Sequence, residues 1–521
     1  MTQIFETLGD IAARYAAATP DKPAVRADGV TWSFAELHDR EQRAVTALKS
    51  LGVSAGDRVG WLALNHMDYV ALMYACFRMG AVLVAINARL VPREIAYVLN
   101  DAGIDVLITE TAFLPLVAEA QKATGLSTVL LLDAAHDDRP AFGDFVMGHA
   151  PDSAPVAAAP DDIAIQMYTS GTTGFPKGAL LSHRQLLVAS ASFEMVADTG
   201  AAVHDDDVAL VAMPLFHATG TCWVLAAMYV GTTIVILSRP DIAGIVAAIV
   251  QHRITRLVLV PAVLLAISLH LETVPADLGS VRLLIYGASP IPLGVLRRAL
   301  VAFPNAGFVQ VYGATETTGA VTYLPPEDHD PAGNTRMRGC GKPYPANEIR
   351  IIDGDGNDLP LGEVGEIIIK SPTNMTGYHN QPEATAKVLV GGWYHSGDAG
   401  YLDADGYLYI HDRVKDMIVS GGENIYPAEV ENALHEHPAV ADCAVIGVPD
   451  AKWGEAVKAV VVKKAEVTAA ELIAFARTRI AGYKLPKSVD FIDALPRNAS
   501  GKILKKDLRA PYWPEGGRQV G

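Results

Sequence analysis

The sequence predicts an α/β protein with a large N-terminal domain and a small α+β domain behind it. Three observations carry that prediction. Over the first 400 residues, short apolar runs at 59–64, 106–109, 129–132, 208–213, 233–237, 256–260 and 283–286 alternate with amphipathic helical patterns such as 33–51 and 67–79. Strand-length runs separated by helices give mostly parallel layers, because each parallel pair needs a long crossover and a helix supplies it. Residues 346–411 break the alternation: short runs bounded by Asp353-Gly354-Asp355-Gly356 and by Asp405-Gly406 read as antiparallel hairpins. After about residue 415 the pattern changes again, to a helix (427–435), strands (440–448 and 456–462), a helix (469–480) and a strand (489–492). That is a unit of roughly 100 residues, a plausible domain size, so the expected division is 1–414 and 415–521.

At 521 residues the chain can bury a large core in more than one domain. A net charge of −16 argues against non-specific nucleic-acid binding, and it requires local positive groups to hold any anionic substrate. The four cysteines, Cys76, Cys222, Cys340 and Cys443, are far apart and read as reduced structural thiols of a cytoplasmic protein. The N-terminus lacks the basic start and apolar stretch of a signal peptide, and the C-terminus carries no address. The most apolar stretches, 223–237 and 257–269, are broken by Gly231-Thr232-Thr233 and by Pro261. Both fall short of the ~20 residues that span a bilayer, so no transmembrane segment is expected. Peripheral membrane contact through an apolar patch stays open, and the chain is expected to work as a monomer or a homodimer.

The chemistry concentrates in a few strings. Residues 168–178, Tyr-Thr-Ser-Gly-Thr-Thr-Gly-Phe-Pro-Lys-Gly, form a small, hydroxyl-rich loop ending in one lysine. Gly171, Gly174 and Gly178 permit close backbone approach to an anion. Thr169, Ser170, Thr172 and Thr173 offer hydroxyl donors, and Lys177 offers a point charge. A polyphosphate is the obvious ligand. The spacing is not that of a Walker A motif, and Gly178 stands where that motif needs a hydroxyl. Residues 312–317, Tyr-Gly-Ala-Thr-Glu-Thr, follow an apolar strand and place Glu316, a hard oxygen ligand, at its end. Upstream, Tyr286-Gly287-Ala288-Ser289-Pro290 ends another strand with small residues that let a flat ring pack on backbone.

Four further strings complete the set. Met213-Pro-Leu-Phe-His-Ala-Thr-Gly220 contains His217, and Trp393-Tyr-His-Ser-Gly-Asp398 ends in a carboxylate able to accept from two hydroxyls of a diol. Asp412-Arg413-Val414-Lys415-Asp416 lies at the expected domain boundary. Gly421-Gly422-Glu423 opens the small domain, with Pro427 near the first turn of its helix. Pro496-Arg497-Asn498-Ala499-Ser500-Gly501-Lys502 is a turn followed by a basic run.

Taken in order, these strings closely resemble those of the adenylate-forming enzymes, the superfamily of acyl-CoA and aryl-CoA synthetases, adenylation domains and firefly luciferase. The resemblance spans the whole chain and is closest to its acyl-CoA synthetase, or fatty-acid–CoA ligase, branch. It implies a large domain of two α/β layered subdomains plus a small β-barrel, and a small mobile C-terminal domain. By the same resemblance, the loop Thr169–Lys177 binds phosphates, and Glu316 receives Mg²⁺. Thr315 contacts the α-phosphate, Tyr312 with Gly313 and Gly287-Ala288 sandwich adenine, and Asp398 and Arg413 hold the ribose. His217 gates or orients the acid near its carboxylate. Lys415 is the hinge, Gly421, Gly422 and Glu423 line the CoA tunnel, and Lys502 bridges the acid and the α-phosphate.

The implied reaction is carboxylate plus MgATP to acyl-AMP and pyrophosphate, then acyl-AMP plus CoA to acyl-CoA and AMP. A medium- or long-chain fatty acid is the expected substrate. Small residues at Ala218, Gly220, Ala288, Gly319 and Ala320 leave room for a long or bulky group. The alternatives are an aryl-CoA ligase of the cinnamate or benzoate type, an enzyme that loads a carrier protein, a luciferase-like oxidase, and a non-catalytic nucleotide-binding protein.

Overall fold

The computed structural model describes residues 5–136, 139–169, 176–195, 204–289, 291–413, 416–420, 423–450, 453–480, 482–497 and 503–513, with backbone only at 193–195, 411–413, 419, 423–424 and 454. Its described strands form four sheets. One sheet runs Gly377–Tyr378, Lys177–Ser182, Ile163–Thr169, Val82–Ala85, Arg58–Leu62, Ile104–Thr109 and Thr128–Leu131 in spatial order. A second runs Lys342–Pro343, Gly319–Leu324, Gly307–Ala314, Leu283–Gly287, Arg256–Leu259, Val208–Val211, Thr233–Ile236, Pro23–Ala27 and Val30–Ser33. Most of their strands pair in parallel, including the edge strand Thr128–Leu131, while Ile163–Thr169/Lys177–Ser182/Gly377–Tyr378 and the two ends of the second sheet are antiparallel; this is the layered α/β arrangement expected from the alternating pattern. Both share one buried core.

The helices between strands are set by local signals. Ser33 and Glu36 make a reciprocal capping box at the start of Phe34–Ser50, satisfying two of the orphan amides there. Helix Asp68–Met79 is buried along its whole length and closes at Gly80, whose φ of 75° is the left-handed value glycine takes at such an end. The chain leaves strand Val208–Val211 first for a neighbour on one side and then for a series of neighbours on the other. Such a switch of direction opens a crevice at the carboxyl ends of the strands.

The hairpin region builds an antiparallel sheet from Glu348–Ile352, Gly365–Lys370, Leu389–Val390, Trp393–Leu402 and Leu408–Arg413, where the resemblance places the small barrel. The strand after residue 307 is longer than its apolar run suggested: it continues through the polar Tyr312-Gly313 to Ala314. Residues 418–491 form the last sheet, from Ile418–Ser420, Glu423–Ile425, Val440–Asp450, Gly454–Lys463 and Ser488–Phe491, with cores of their own. Helix Ala469–Arg477 of this unit starts from a Thr468–Glu471 capping box. Among the described residues, no helix is long and apolar enough to cross a membrane.

Candidate functional site

The strands Leu283–Gly287 and Gly307–Ala314 pair in parallel, and their carboxyl ends set one wall. Gly287 packs so closely that a Cβ there would lie 2.2 Å from the Val311 carbonyl oxygen. At Gly313 it would lie 1.9 Å from the Gly319 oxygen, so both positions exclude any side chain. Ala288 takes a φ of 65°, a strained choice for a residue with a Cβ, at the exposed lip of this wall. The chain then makes one 3-10 turn, Thr315–Thr317, which carries Thr315 and Glu316 out of the sheet.

Glu316 is held from both sides. Its backbone oxygen accepts from the Met375 amide at 2.8 Å. Its Oε1 accepts from Thr169 Oγ1 at 3.2 Å and from the Tyr378 hydroxyl at 2.8 Å. No described residue donates to Oε2, and the side chain is half-buried. Among the described residues there is no group of three or more His, Cys, Asp or Glu able to hold a metal. A hard cation at Glu316 therefore fits only if a ligand such as a polyphosphate supplies the remaining oxygens.

Thr169 faces Lys177 across the antiparallel hairpin Ile163–Thr169/Lys177–Ser182. The lysine thus lies at the same end as Glu316, and its Nζ sits 5.0 Å over the Tyr378 ring. Ser170, Gly171, Thr172, Thr173 and Gly174 lie outside the described residues, as do Lys415, Gly421, Gly422 and Lys502. Glu423 begins the strand Glu423–Ile425, and its side chain also lies outside the description.

Tyr312 donates its hydroxyl to Asp398 Oδ2 at 2.8 Å. Burial and the neighbouring Asp398 charge hold the phenol well above its usual range, so it stays a donor. Asp398 is aimed by its own amide, which donates to Ser396 Oγ at 3.0 Å, while Ser396 donates to the Ile367 oxygen at 2.6 Å. Arg413 is the register partner of Asp398 on the adjacent strand, which puts the two backbones side by side.

His217 caps the start of helix Ala218–Tyr229, the turn that follows the switch-point strand. Asn65 pins this turn, donating to the Met213 and Leu237 oxygens at 3.2 Å each and accepting from the Leu215 amide at 2.9 Å. A Cβ at Gly220 would lie 2.2 Å from the Pro214 oxygen. Burial, reinforced by the Arg89 charge, pushes the His217 imidazole down to about 4, so it is neutral at pH 7. Its Nε2 is buried without a hydrogen-bond partner among the described residues, as a group that orients a ligand would be. The same helix packs its first turns on the Gly319 wall, where Cys222 Sγ lies 3.9 Å from the Thr318 oxygen.

The structure thus brings Thr169, Lys177, Gly287, Ala288, Tyr312, Gly313, Thr315 and Glu316 to the ends of two sheets, joins Asp398 of the antiparallel sheet to them through Tyr312, and sets His217 at the start of the helix that packs on the strand Gly319–Leu324. The motif reading missed Tyr378 and Asn65. Gly377-Tyr378 carries no local chemistry to mark it, and its partner Glu316 is 62 residues away. The basic residues flanking Lys502 are paired within the small domain's neighbourhood: Arg497 with Asp442 at 2.5 Å, Lys505 with Glu431 at 2.9 Å, and Arg509 with Asp416.

A family model for the AMP-binding enzymes matches residues 12–379, and one for the AMP-binding enzyme C-terminal domain matches residues 429–502. The chain is 42% identical to a feruloyl-CoA synthase of Amycolatopsis sp, covering 97% of this chain and 99% of that one. It is 38% identical to the fatty acid–[acyl-carrier-protein] ligase ScoC of Streptomyces coeruleorubidus, covering 99% and 98%. Among solved structures, it is similar to the o-succinylbenzoate CoA synthetase MenE of Bacillus subtilis in complex with the acyl-adenylate intermediate OSB-AMP, with TM-score 0.84, 33% identity and 98% of each chain covered. The same enzyme with ATP and magnesium ion aligns with TM-score 0.84, 32% identity and coverage of 96% and 98%.

Proposed function

We propose that this chain, which belongs to the AMP-binding enzyme family and is an ATP-dependent acid–thiol ligase, activates a carboxylic acid as its acyl-adenylate and transfers it to CoA. The observation that carries the reading is the meeting of Thr169, Lys177 and Glu316 at one sheet end beside the Tyr312–Asp398 pair. The loop ending at Lys177 holds the ATP phosphates. The backbone at Gly287-Ala288 and the Tyr312-Gly313 edge take adenine, and Asp398 with Arg413 takes the ribose. Glu316 and Thr315 face the phosphates, and Glu316 Oε2, which accepts from no described residue, fits Mg²⁺. Magnesium, when bound, neutralises phosphate charge and fixes the in-line geometry.

No general base is needed for the first half, because a carboxylate is already ionised at neutral pH. Its oxygen attacks the α-phosphorus, the bond to the bridging oxygen breaks, and pyrophosphate leaves. Lys502 stabilises the negative charge that builds there. In the second half the CoA sulfur attacks the acyl carbon, losing its proton, and AMP leaves. Gly421, Gly422 and Glu423 serve this step, so residues 415–521 must reorient about Lys415 between halves. K502A is expected to abolish pyrophosphate formation while sparing thioester formation from supplied acyl-AMP. Equal loss of both halves would contradict this division of labour.

For the acid, the 42% identity to a feruloyl-CoA synthase supports an aryl or arylalkenoic body, and the small residues Ala218, Gly220, Gly319 and Ala320 leave room for one. A medium- or long-chain fatty acid is the second reading, favoured by the fatty-acid ligase relative. Competing a cinnamate against octanoate and palmitate, with kcat/KM as the readout, separates the two.

A further inference from the structure

We propose that Tyr378 is a positioning residue that locks the magnesium-facing carboxylate and the phosphate-loop lysine into one unit. The inference rests on the reading of Glu316 as the carboxylate that receives magnesium. Tyr378 is 9% exposed, and its two ends meet opposite charges. Its hydroxyl donates to Glu316 Oε1 at 2.8 Å, and its ring face carries Lys177 Nζ at 5.0 Å. Thr169, the register partner of Lys177, donates to the same Oε1 at 3.2 Å. Both donors therefore load one oxygen and, among the described residues, leave Oε2 without a donor, as a metal ligand would need.

The segment around Tyr378 is fixed against both partners by backbone bonds. The Met375 amide donates to the Glu316 oxygen at 2.8 Å, the Thr376 amide to the Leu180 oxygen at 2.9 Å, and the His379 amide to the Gly178 oxygen at 2.8 Å. The Tyr378 amide donates to Thr385 Oγ1 at 2.9 Å. Ring and hydroxyl are thus held in register with Glu316 on one side and with the lysine strand on the other. A hydrogen-bond partner of a metal-binding carboxylate sets its orientation, and loss of such a partner typically weakens metal binding by ~10–100-fold. The ring supplies a second, separable contribution, because a cation over an aromatic face is attracted by its quadrupole.

The test is isothermal calorimetry of ATP binding over a Mg²⁺ titration, without acid or CoA, on Y378F, Y378L and E316Q, each checked for fold by circular dichroism. E316Q is expected to abolish the tightening of ATP binding by Mg²⁺. Y378F is expected to raise the Mg²⁺ concentration for half-maximal tightening about tenfold, with metal-free ATP affinity unchanged. Y378L, which also removes the ring from beneath Lys177, is expected to weaken metal-free ATP as well, and it serves the test alone if Y378F is not recovered folded. If E316Q keeps the wild-type Mg²⁺ response, the reading of Glu316 fails. If E316Q loses the response while folded Y378F and Y378L both keep it, Tyr378 is only packing and the inference is overturned.

Discussion

Tyr312 and Asp398 hold each other before any nucleotide arrives, and that sets the first expectation. Y312F removes the hydroxyl that Asp398 accepts at 2.8 Å and leaves the ring. Hydrogen bonds to charged groups contribute about 1.5–3 kcal/mol, so KM for ATP should rise roughly tenfold with kcat less affected. Steady-state kinetics at saturating acid and CoA check this, and an unchanged KM would show the bond to be incidental. G313A is a second test, since its Cβ would enter the Gly319 oxygen at 1.9 Å. A loss of about 1–3 kcal/mol in urea unfolding is expected. At this scale the sequence was legible where one residue type does one job: Glu316, Asp398 and Lys177 stood out by charge and position. Tyr378 did not, because a tyrosine after a glycine has no local signature and its role comes from residues brought to it by the fold.

The elements were legible where periodicity is strong. Helix Pro427–His435 and the strands near 208, 233, 256 and 283 stand where alternation of apolar runs put them. Boundaries moved where tertiary pairing overrode polarity: the strand Gly307–Ala314 extends into Tyr312-Gly313 because the strand Gly319–Leu324 pairs with it. The turn that presents His217 depends on Asn65, which no pattern could show, since its partners lie 148 to 172 residues away. N65A leaves the Leu215 amide and Met213 carbonyl of that turn, and the Leu237 carbonyl of the adjacent strand end, without their partner. It should lose on the order of 2 kcal/mol of stability and slow acid activation more than it weakens ATP binding. Urea unfolding and separate KM values for acid and ATP distinguish this from a purely global effect, which would leave both KM values alone.

At the scale of the molecule, one buried and two half-buried histidines tie stability to pH. His183, His217 and His329 are each pushed from 6.5 down to about 4, chiefly by burial. The unfolded chain therefore binds more protons between those values, so their contribution is full above 6.5 and lost as pH falls toward 4. A loss on the order of 1–2 kcal/mol per histidine is expected between pH 7 and pH 5. Urea midpoints across that range check it, with H183Q and H329Q expected to flatten the slope; a slope unchanged in both variants would contradict the assignment. The two-part organisation was legible from sequence because the apolar pattern changes between the two parts, and Gly287, Thr169 and Glu316 were legible because they stand at or just beyond strand ends. The acid was not, because the surface proposed to receive it combines small residues of the strand Gly319–Leu324 and the helix Ala218–Tyr229, nearly a hundred positions apart. The most direct test of the account is AMP release by the purified chain with MgATP, with and without CoA, across benzoate, a cinnamate, octanoate and palmitate. The account predicts AMP, pyrophosphate and the matching acyl-CoA in equal amounts for at least one acid, and turnover that depends on CoA. Release of ADP, or pyrophosphate exchange with no CoA-dependent AMP for any acid that supports it, would contradict it.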